Sequence, residues 1–322
     1  MRYVPALVWV GLAAAIGFAA SLLVGPQGIG LPLGSDAALL VLFEIRLPRA
    51  ALGFLIGGAL GLAGAVLQGY LRNPLAEPGL MGVSGGAALG AVTAIHSGLA
   101  AAVPFALPLG GLLGGAAATF AVMVLAGELA GPLTLILAGV AVSSLAAALT
   151  SLALNLAPNP FAASEMLYWL MGSLTDRSLV HVWLASPLIV AGSFVLFSTG
   201  RALDALTLGE EAAENVGVDL GALRTRVIAG TALAVGAATA VAGAIGFVGL
   251  VVPHLLRASA RHEPGRLLVP SFLGGAALVL LADVALRLVS PAGDLRLGVV
   301  TALIGAPFFL WLVLRTRREL GP

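Results

Sequence analysis

The chain has 322 residues, 60% of them hydrophobic and 10% charged, with a formal net charge of +1 and a mean hydropathy of +1.08. A water-soluble domain carries about 25% charged residues, so this composition excludes one and marks a membrane protein. The small net charge offers nucleic acid no handle, and the absence of cysteine removes disulfides and thiolate metal sites.

A helical span needs about 20 apolar residues to cross roughly 30 Å of hydrocarbon. Residues 4–25 are apolar for too long to be a signal-peptide core and read as a retained first span. The second span, 48–71, runs into RNPLAEPGLMGVSGG at 72–86, where Arg72, Asn73, Glu77 and two prolines interrupt the apolar chain. Each proline disfavours helix in the residue before it, so Asn73-Pro74 and Glu77-Pro78 end the span and hold a turn. Gly79, Gly82, Gly85 and Gly86 then open span three with a surface that a neighbouring helix can approach closely.

Further spans are expected at 79–97, 105–127, 133–156, 179–199, 225–242, 247–260, 267–289 and 297–314, ten in all. The eighth is short and broken by Gly246, Gly249 and Pro253, which is tolerated at membrane depth only when buried in protein. The expected fold is an all-α polytopic membrane protein, one transmembrane domain over residues 1–322. With the N-terminus inside, eleven arginines fall on the cytoplasmic side and five outside, which favours both termini in the cytoplasm. LAGAV at 62–66 echoes VAGAI at 241–245 on a span of opposite direction, so spans 2–5 and 7–10 are expected to form an inverted repeat.

Span five carries Ser143, Ser144, Thr150, Ser151 and Asn155 at steps of seven and four, a polar stripe suited to a pathway or to helix packing. LDALTLGEEAAENVG at 203–217 reads as a short exposed helix. Thr207-Leu208-Gly209-Glu210 has the capping-box pattern, Glu210 and Glu211 lie at the positive end, and Gly217 suits a left-handed stop. Arg46 and Arg49 flank Pro48 at the outer end of span two, and Arg287 follows Asp283 by one helical turn, as in a local ion pair. Gly82-Val83-Ser84-Gly85-Gly86 fits the G-x-S-x-G nucleophile pattern, with His254 as a conceivable base. That chemistry needs a strand before the serine, whereas Ser84 follows a loop and opens a span. The four histidines are scattered over both faces without a metal-ligating cluster, and the chain has no phosphate-binding G-x-x-x-x-G-K-[ST] loop.

IRLPRAALGFLIGGALGLAGAVLQGYLRNPLAEPGLMGVSGGAALGA at 45–91 resembles the FecCD-type permease subunits of bacterial ABC importers for ferric siderophores, haem and vitamin B12. LAGVA at 137–141, MLYWLMGSL at 166–174, LTLGEEAAENVGV at 206–218, AGAIGFVGLVVPHLLR at 242–257, LLADVALRL at 280–288 and LGVVTALIGAPFFLWLVLR at 297–315 follow in order. The resemblance implies a type II importer permease in the bacterial inner membrane, a homodimer working by alternating access. Its partners would be a periplasmic binding protein and two cytoplasmic ATPase subunits. ATP and Mg would be bound by the ATPase, with no cofactor in this chain and no catalysis by it. It also implies a coupling region at 203–217, with Thr207, Leu208, Gly209, Glu210, Glu211, Ala212 and Gly217 meeting the ATPase. Arg46, Arg49 and Arg287 would dock the binding protein, and Asn73, Pro74, Ser143, Ser144, Ser151 and Asn155 would serve pathway and gate. The alternatives are an ion-gradient-driven transporter, which would need buried coupling carboxylates, and an intramembrane serine protease.

Overall fold

Leu, Val, Ala and Gly in hydrocarbon must satisfy every backbone N–H and C=O within the protein, and this chain does so with helices. The computed structural model describes residues 3–25, 28–30, 39–103, 105–127, 131–290 and 295–319. Helix α1, Tyr3–Leu23, is followed by an antiparallel pair of two-residue strands, β1 Val24–Gly25 and β2 Gly28–Ile29. A π-helical segment, Val41–Arg46, continues directly into α2, Leu47–Tyr70, so Pro48 lies inside a continuous helix, beside the widened π turn that its missing N–H favours. A 3-10 turn at Pro78–Met81 precedes α3, Val83–His96. Then come α4 Leu99–Ala102, α5 Ala106–Ala126, α6 Pro132–Asn155 and α7 Pro160–Leu170. They are followed by α8 Leu179–Phe197, α9 Gly200–Leu206 and α10 Glu210–Asn215. The chain continues through α11 Leu220–Ala242, α12 Val248–Leu256, α13 Pro264–Val289 and α14 Leu297–Glu319.

Each of the ten expected spans has a helix. Among the described residues eight are long and apolar enough to cross a membrane, the π-helical segment and α2 acting as one. The other two, α3 with 14 residues and α12 with 9, are short because the chain spends part of their depth on broken backbone. These breaks match: Gly82 (φ 76°) leads into α3 and Phe247 (φ 66°) into α12, both left-handed. Such a conformation costs a side-chain-bearing residue roughly 1–2 kcal/mol, which the packing around Phe247 must offset.

Helices α2 and α11, the first of the two halves, form the enclosed centre. Helix α2 packs on α13, α12 and α8, and α11 packs on α8, α5 and α3, so each leading helix takes partners from the other half and both share the sixth span. Contact between α2 and α13 is backbone to backbone. A Cβ on Gly57 would run into the Gly275 carbonyl, one on Gly61 into the Ser271 carbonyl, and one on Gly64 into Gly249 of α12.

Gly61→Val should therefore destabilise the bundle by about 1–3 kcal/mol or more, because neither backbone can retreat from a neighbour. Thermal unfolding in detergent measures it. Gly131→Ala, where the added carbon meets open space, should leave the midpoint unchanged.

Candidate functional site

Three segments meet at the arginine-rich end. After α2, Arg72 turns back at φ 48°, and the Asn73 side chain accepts the Leu75 N–H at 2.9 Å, fixing the turn that the Asn-Pro pair was expected to make. The turn then lies along α6: Gly139 has no side chain where the Leu80 carbonyl passes, and Ser143 Oγ donates to the Gly79 carbonyl at 3.4 Å. Beneath it, Gln68 joins the halves. Its Nε2 donates to the carbonyls of Gly249 and Leu250 at 3.2 and 3.3 Å, and its Oε1 accepts from Arg257 at 2.6 Å. Gln68 was not singled out from the sequence, although one amide in the apolar run LAGAVLQGY was a legible signal. Burial of Glu77, in the same turn, raises its carboxyl above the usual range, an effect that the nearby Phe247 backbone N–H offsets in part.

Residues 203–217 do not form the single capped helix expected. Thr207 closes α9, its hydroxyl donating to the Asp204 carbonyl at 2.6 Å, and α10 starts afresh behind Gly209 (φ 104°) without a side-chain cap. The capping box fails because a left-handed Gly209 separates Thr207 from the new helix. The other end behaves as anticipated. Gly217 (φ 88°) donates to Glu214, and Val218 donates to Ala213, satisfying the last carbonyls. Glu210, Glu211, Glu214 and Leu208 are exposed, while Ala213 is buried beneath them and Ala212 is half-buried. Arg72 and Glu210 form a 3.0 Å ion pair that links α10 to the turn beside α6. A cavity of about 550 Å³ opens behind α10, with Arg201, Asp219 and Arg226 on its walls.

The polar stripe on α6 divides. Ser144, Ser151 and Asn155 are exposed, Ser143 faces the turn, and Thr150 is buried with its hydroxyl unpaired. Asn73 and Pro74 are half-buried beside the turn. Ser84 sits in the first turn of α3 after a 3-10 turn and a left-handed glycine, the wrong approach for a nucleophile elbow. The His254 ring packs against Phe308, with centroids 5.6 Å apart.

At the opposite end, the three arginines expected to reach outward are committed inside the chain. Helix α1 leaves its last carbonyls without helical partners, and the arginines take them. Nη1 of Arg46 donates to Leu22, Leu23 and Gly30 at 2.8, 3.0 and 2.9 Å. Nη1 of Arg287 donates to Ser21 and Val24 at 3.0 and 2.7 Å, and its Nη2 donates to Ser21 Oγ at 2.8 Å. The expected Asp283–Arg287 pair forms at 3.0 Å, but Arg49 shares the carboxylate through a fork, with Nε at 3.1 and 3.0 Å and Nη2 at 2.8 Å. The Asp283 side chain is 2% exposed and that of Arg49 13%. Burial demands partners for these guanidiniums, and the chain supplies them. Among the described residues no group of three or more His, Asp or Glu is placed to hold a metal.

Comparison with known proteins gives consistent matches along the chain. The FecCD transport family matches residues 7–315. The vitamin B12 import system permease protein BtuC of Klebsiella pneumoniae subsp. pneumoniae is 38% identical over 278 residues, 86% of this chain and 83% of that protein. BtuC of Shigella boydii serotype 18 is 38% identical over 303 residues, 92% and 91% of the two chains. A solved structure described as a metal-chelate type ABC transporter in an inward-facing conformation superposes with a TM-score of 0.88 at 32% identity. The match covers 97% of this chain and 100% of that one.

Replacing Asp283 by Asn leaves two buried guanidiniums facing each other without a counter-charge. Thermal unfolding should show a loss of about 3–5 kcal/mol, with a smaller loss for Arg49→Gln because Arg287 keeps the carboxylate paired. Glu77 gives a pH signature. Its folded carboxyl holds a proton to higher pH than the unfolded one, so its contribution is fully present below the ordinary carboxylate value and is lost as pH rises through the raised value. Glu77→Gln, which still offers Phe247 an acceptor, should match the parent's stability in acid and exceed it at neutral pH.

Proposed function

The chain belongs to the FecCD transport family, and from that premise we propose that it is the membrane-spanning permease of an ATP-driven importer for a metal chelate or corrinoid. In this reading it sits in a bacterial inner membrane as a homodimer, with both termini and the arginine-rich end in the cytoplasm. Two ATPase subunits that bind ATP and Mg engage that end, and a periplasmic binding protein delivers cargo to the other.

The observation that carries the reading is the route from α10 to α6. Helix α10 is a short element with an exposed face, set between two positive-φ glycines and tied by Arg72 to the 72–82 turn, which lies against Ser143. The Arg72–Glu210 pair is half exposed and contributes little stability. Its value is positional: displacement of α10 by an ATPase pulls on the turn, and the turn bears on α6. Leu208, Glu210, Glu211 and Ala212 are the contact residues, Gly209 and Gly217 set the angle, and the cavity by Arg201 and Arg226 receives the partner. Thr207 contributes through α9 only. Asn73, Pro74 and Ser143 form the cytoplasmic gate, and Ser144, Ser151 and Asn155 face the pathway between two copies. At the outer face Arg46, Arg49 and Arg287 act as the rigid floor on which the binding protein settles. Asp283, the intramembrane carboxylate that a gradient-driven mechanism would draw on, is held by two arginines.

Reconstituted alone in liposomes, the chain should accumulate no cargo under a proton or sodium gradient; with its ATPase and binding protein it should do so on ATP addition. Ala212→Arg places bulk and charge on α10 and should abolish ATPase co-purification while the membrane dimer persists. Concentrative uptake by the chain alone, or normal co-purification of the variant, would sink the respective parts of this reading.

A further inference from the structure

Helix α13 is not capped by its own residues. Its first residue, Pro264, has no N–H, and Glu263 in the capping position makes no side-chain bond to the helix start, its carboxylate pairing with Arg266 at 2.6 Å instead. The Gly265 N–H is taken by Asp204 of α9, whose Oδ1 accepts it at 2.7 Å. The capping carboxylate thus arrives from 61 positions away, on the helix that precedes α10, and sets negative charge at the positive end of α13.

The contact has no slack. A Cβ on Gly265 would meet Asp204 Oδ2 at 2.5 Å and the Gly200 carbonyl at 3.0 Å, and one on Gly200 would lie 3.4 Å from the Gly265 Cα. A Cβ on Gly69, near the end of α2, would meet both Pro264 and the buried Leu203, so α2, α9 and α13 converge at this point. On its other side α9 is joined closely to α10. The N–H groups of Thr207, Leu208 and Gly209 donate to the carbonyls of Asp204, Ala205 and Leu206 at 3.2, 3.1 and 3.1 Å, and the Thr207 hydroxyl adds its own bond to Asp204. Load placed on α10 therefore enters α9. Of the links from this unit into the bundle, Arg72–Glu210 joins two half-exposed, flexible side chains, whereas Asp204 holds a backbone N–H across a packed contact.

We propose that Asp204 is a positioning residue for energy coupling, carrying displacement of α10 into α13 and from there into α2. The source of that displacement, a docked ATPase, rests on the importer reading. Gly275 and Ser271 of α13 lie directly on Gly57 and Gly61 of α2, so a shift of α13 meets backbone rather than yielding side chains and is passed on. A cap supplied from within α13 would stabilise that helix equally well but would tie it to nothing.

The chain has no cysteine, so spin labels can be placed through Val124→Cys on α5 and Val269→Cys on α13, both exposed. The labelled chain is assembled with its ATPase in lipid nanodiscs, diluted with unlabelled chain so that a single pair is read, and the distance is measured with and without ATP, Mg and vanadate. The parent should show a nucleotide-dependent change. Asp204→Ala should lose most of it while the ATPase still co-purifies and hydrolyses ATP. Asp204→Asn, whose amide oxygen still accepts from Gly265, should keep it, and Arg72→Gln, which cuts the other link, should leave it in place. Asp204→Ser, with an oxygen that stops short of Gly265, gives the same reading if the Ala variant does not assemble. A full distance change in Asp204→Ala or Asp204→Ser overturns the proposal, as does equal loss in Asp204→Asn. Failure of the parent to bind an ATPase sinks the importer reading and this proposal with it, whereas an unchanged distance with ATPase bound sinks this proposal alone.

Discussion

Inside hydrocarbon an apolar side chain gains nothing by leaving lipid for a neighbouring helix, so association has to come from contact at close range. Here that contact is made between backbones. Gly57 and Gly61 of α2 lie against Gly275 and Ser271 of α13, Gly64 against Gly249 of α12, and Gly86 and Gly90 of α3 against Gly114 and Gly110 of α5. Everything at the arginine-rich end follows from these approaches. The gap between α2 and α12 is what lets Gln68 reach two carbonyls of α12 and Arg257 beyond it. The same economy explains why 43 glycines coexist with long helices despite their poor helix propensity.

The outer end depends on a different balance. Three guanidiniums and one carboxylate are packed where solvent barely enters, and they survive because the end of α1 supplies acceptors as well as Asp283. Charge is being used as a structural fastener between the first span, the second and the ninth. The hydrogen-bond geometry makes these side chains costly to pull outward, since every bond gained with an incoming partner would be one lost within the chain.

Much of this was legible in the residues. Apolar run length located a helix for each of the ten expected spans, eight of them long enough to cross among the described residues, and the breaks at Asn73-Pro74 and around Gly246 were readable because proline and glycine act locally. The Asp283–Arg287 pair followed from helical spacing. Arg49 as the second partner of Asp283 did not, because residues 234 positions apart meet only once α2 and α13 are packed. The capping box at Thr207 illustrates the reverse failure: its four residues match a local pattern, but the turn between α9 and α10 is set by the helices on either side and puts Gly209 in the left-handed region. The Asp204 cap on α13 was likewise invisible, since its two ends lie 61 positions apart.

The paired glycines around α10 have a consequence for divergence within such transporters. Gly209 and Gly217 carry the backbone geometry of both turns, so of the six residues Glu210–Asn215 few have a part in orienting their own helix, Glu210 through Arg72 being one. Only Ala213 is tied to the core. A chain built this way can vary the exposed residues of a short cassette, apart from Glu210 with its bond to Arg72, and leave the bundle and its glycine contacts untouched. The exposed face of that short helix can thus drift locally while the packed bundle stays fixed.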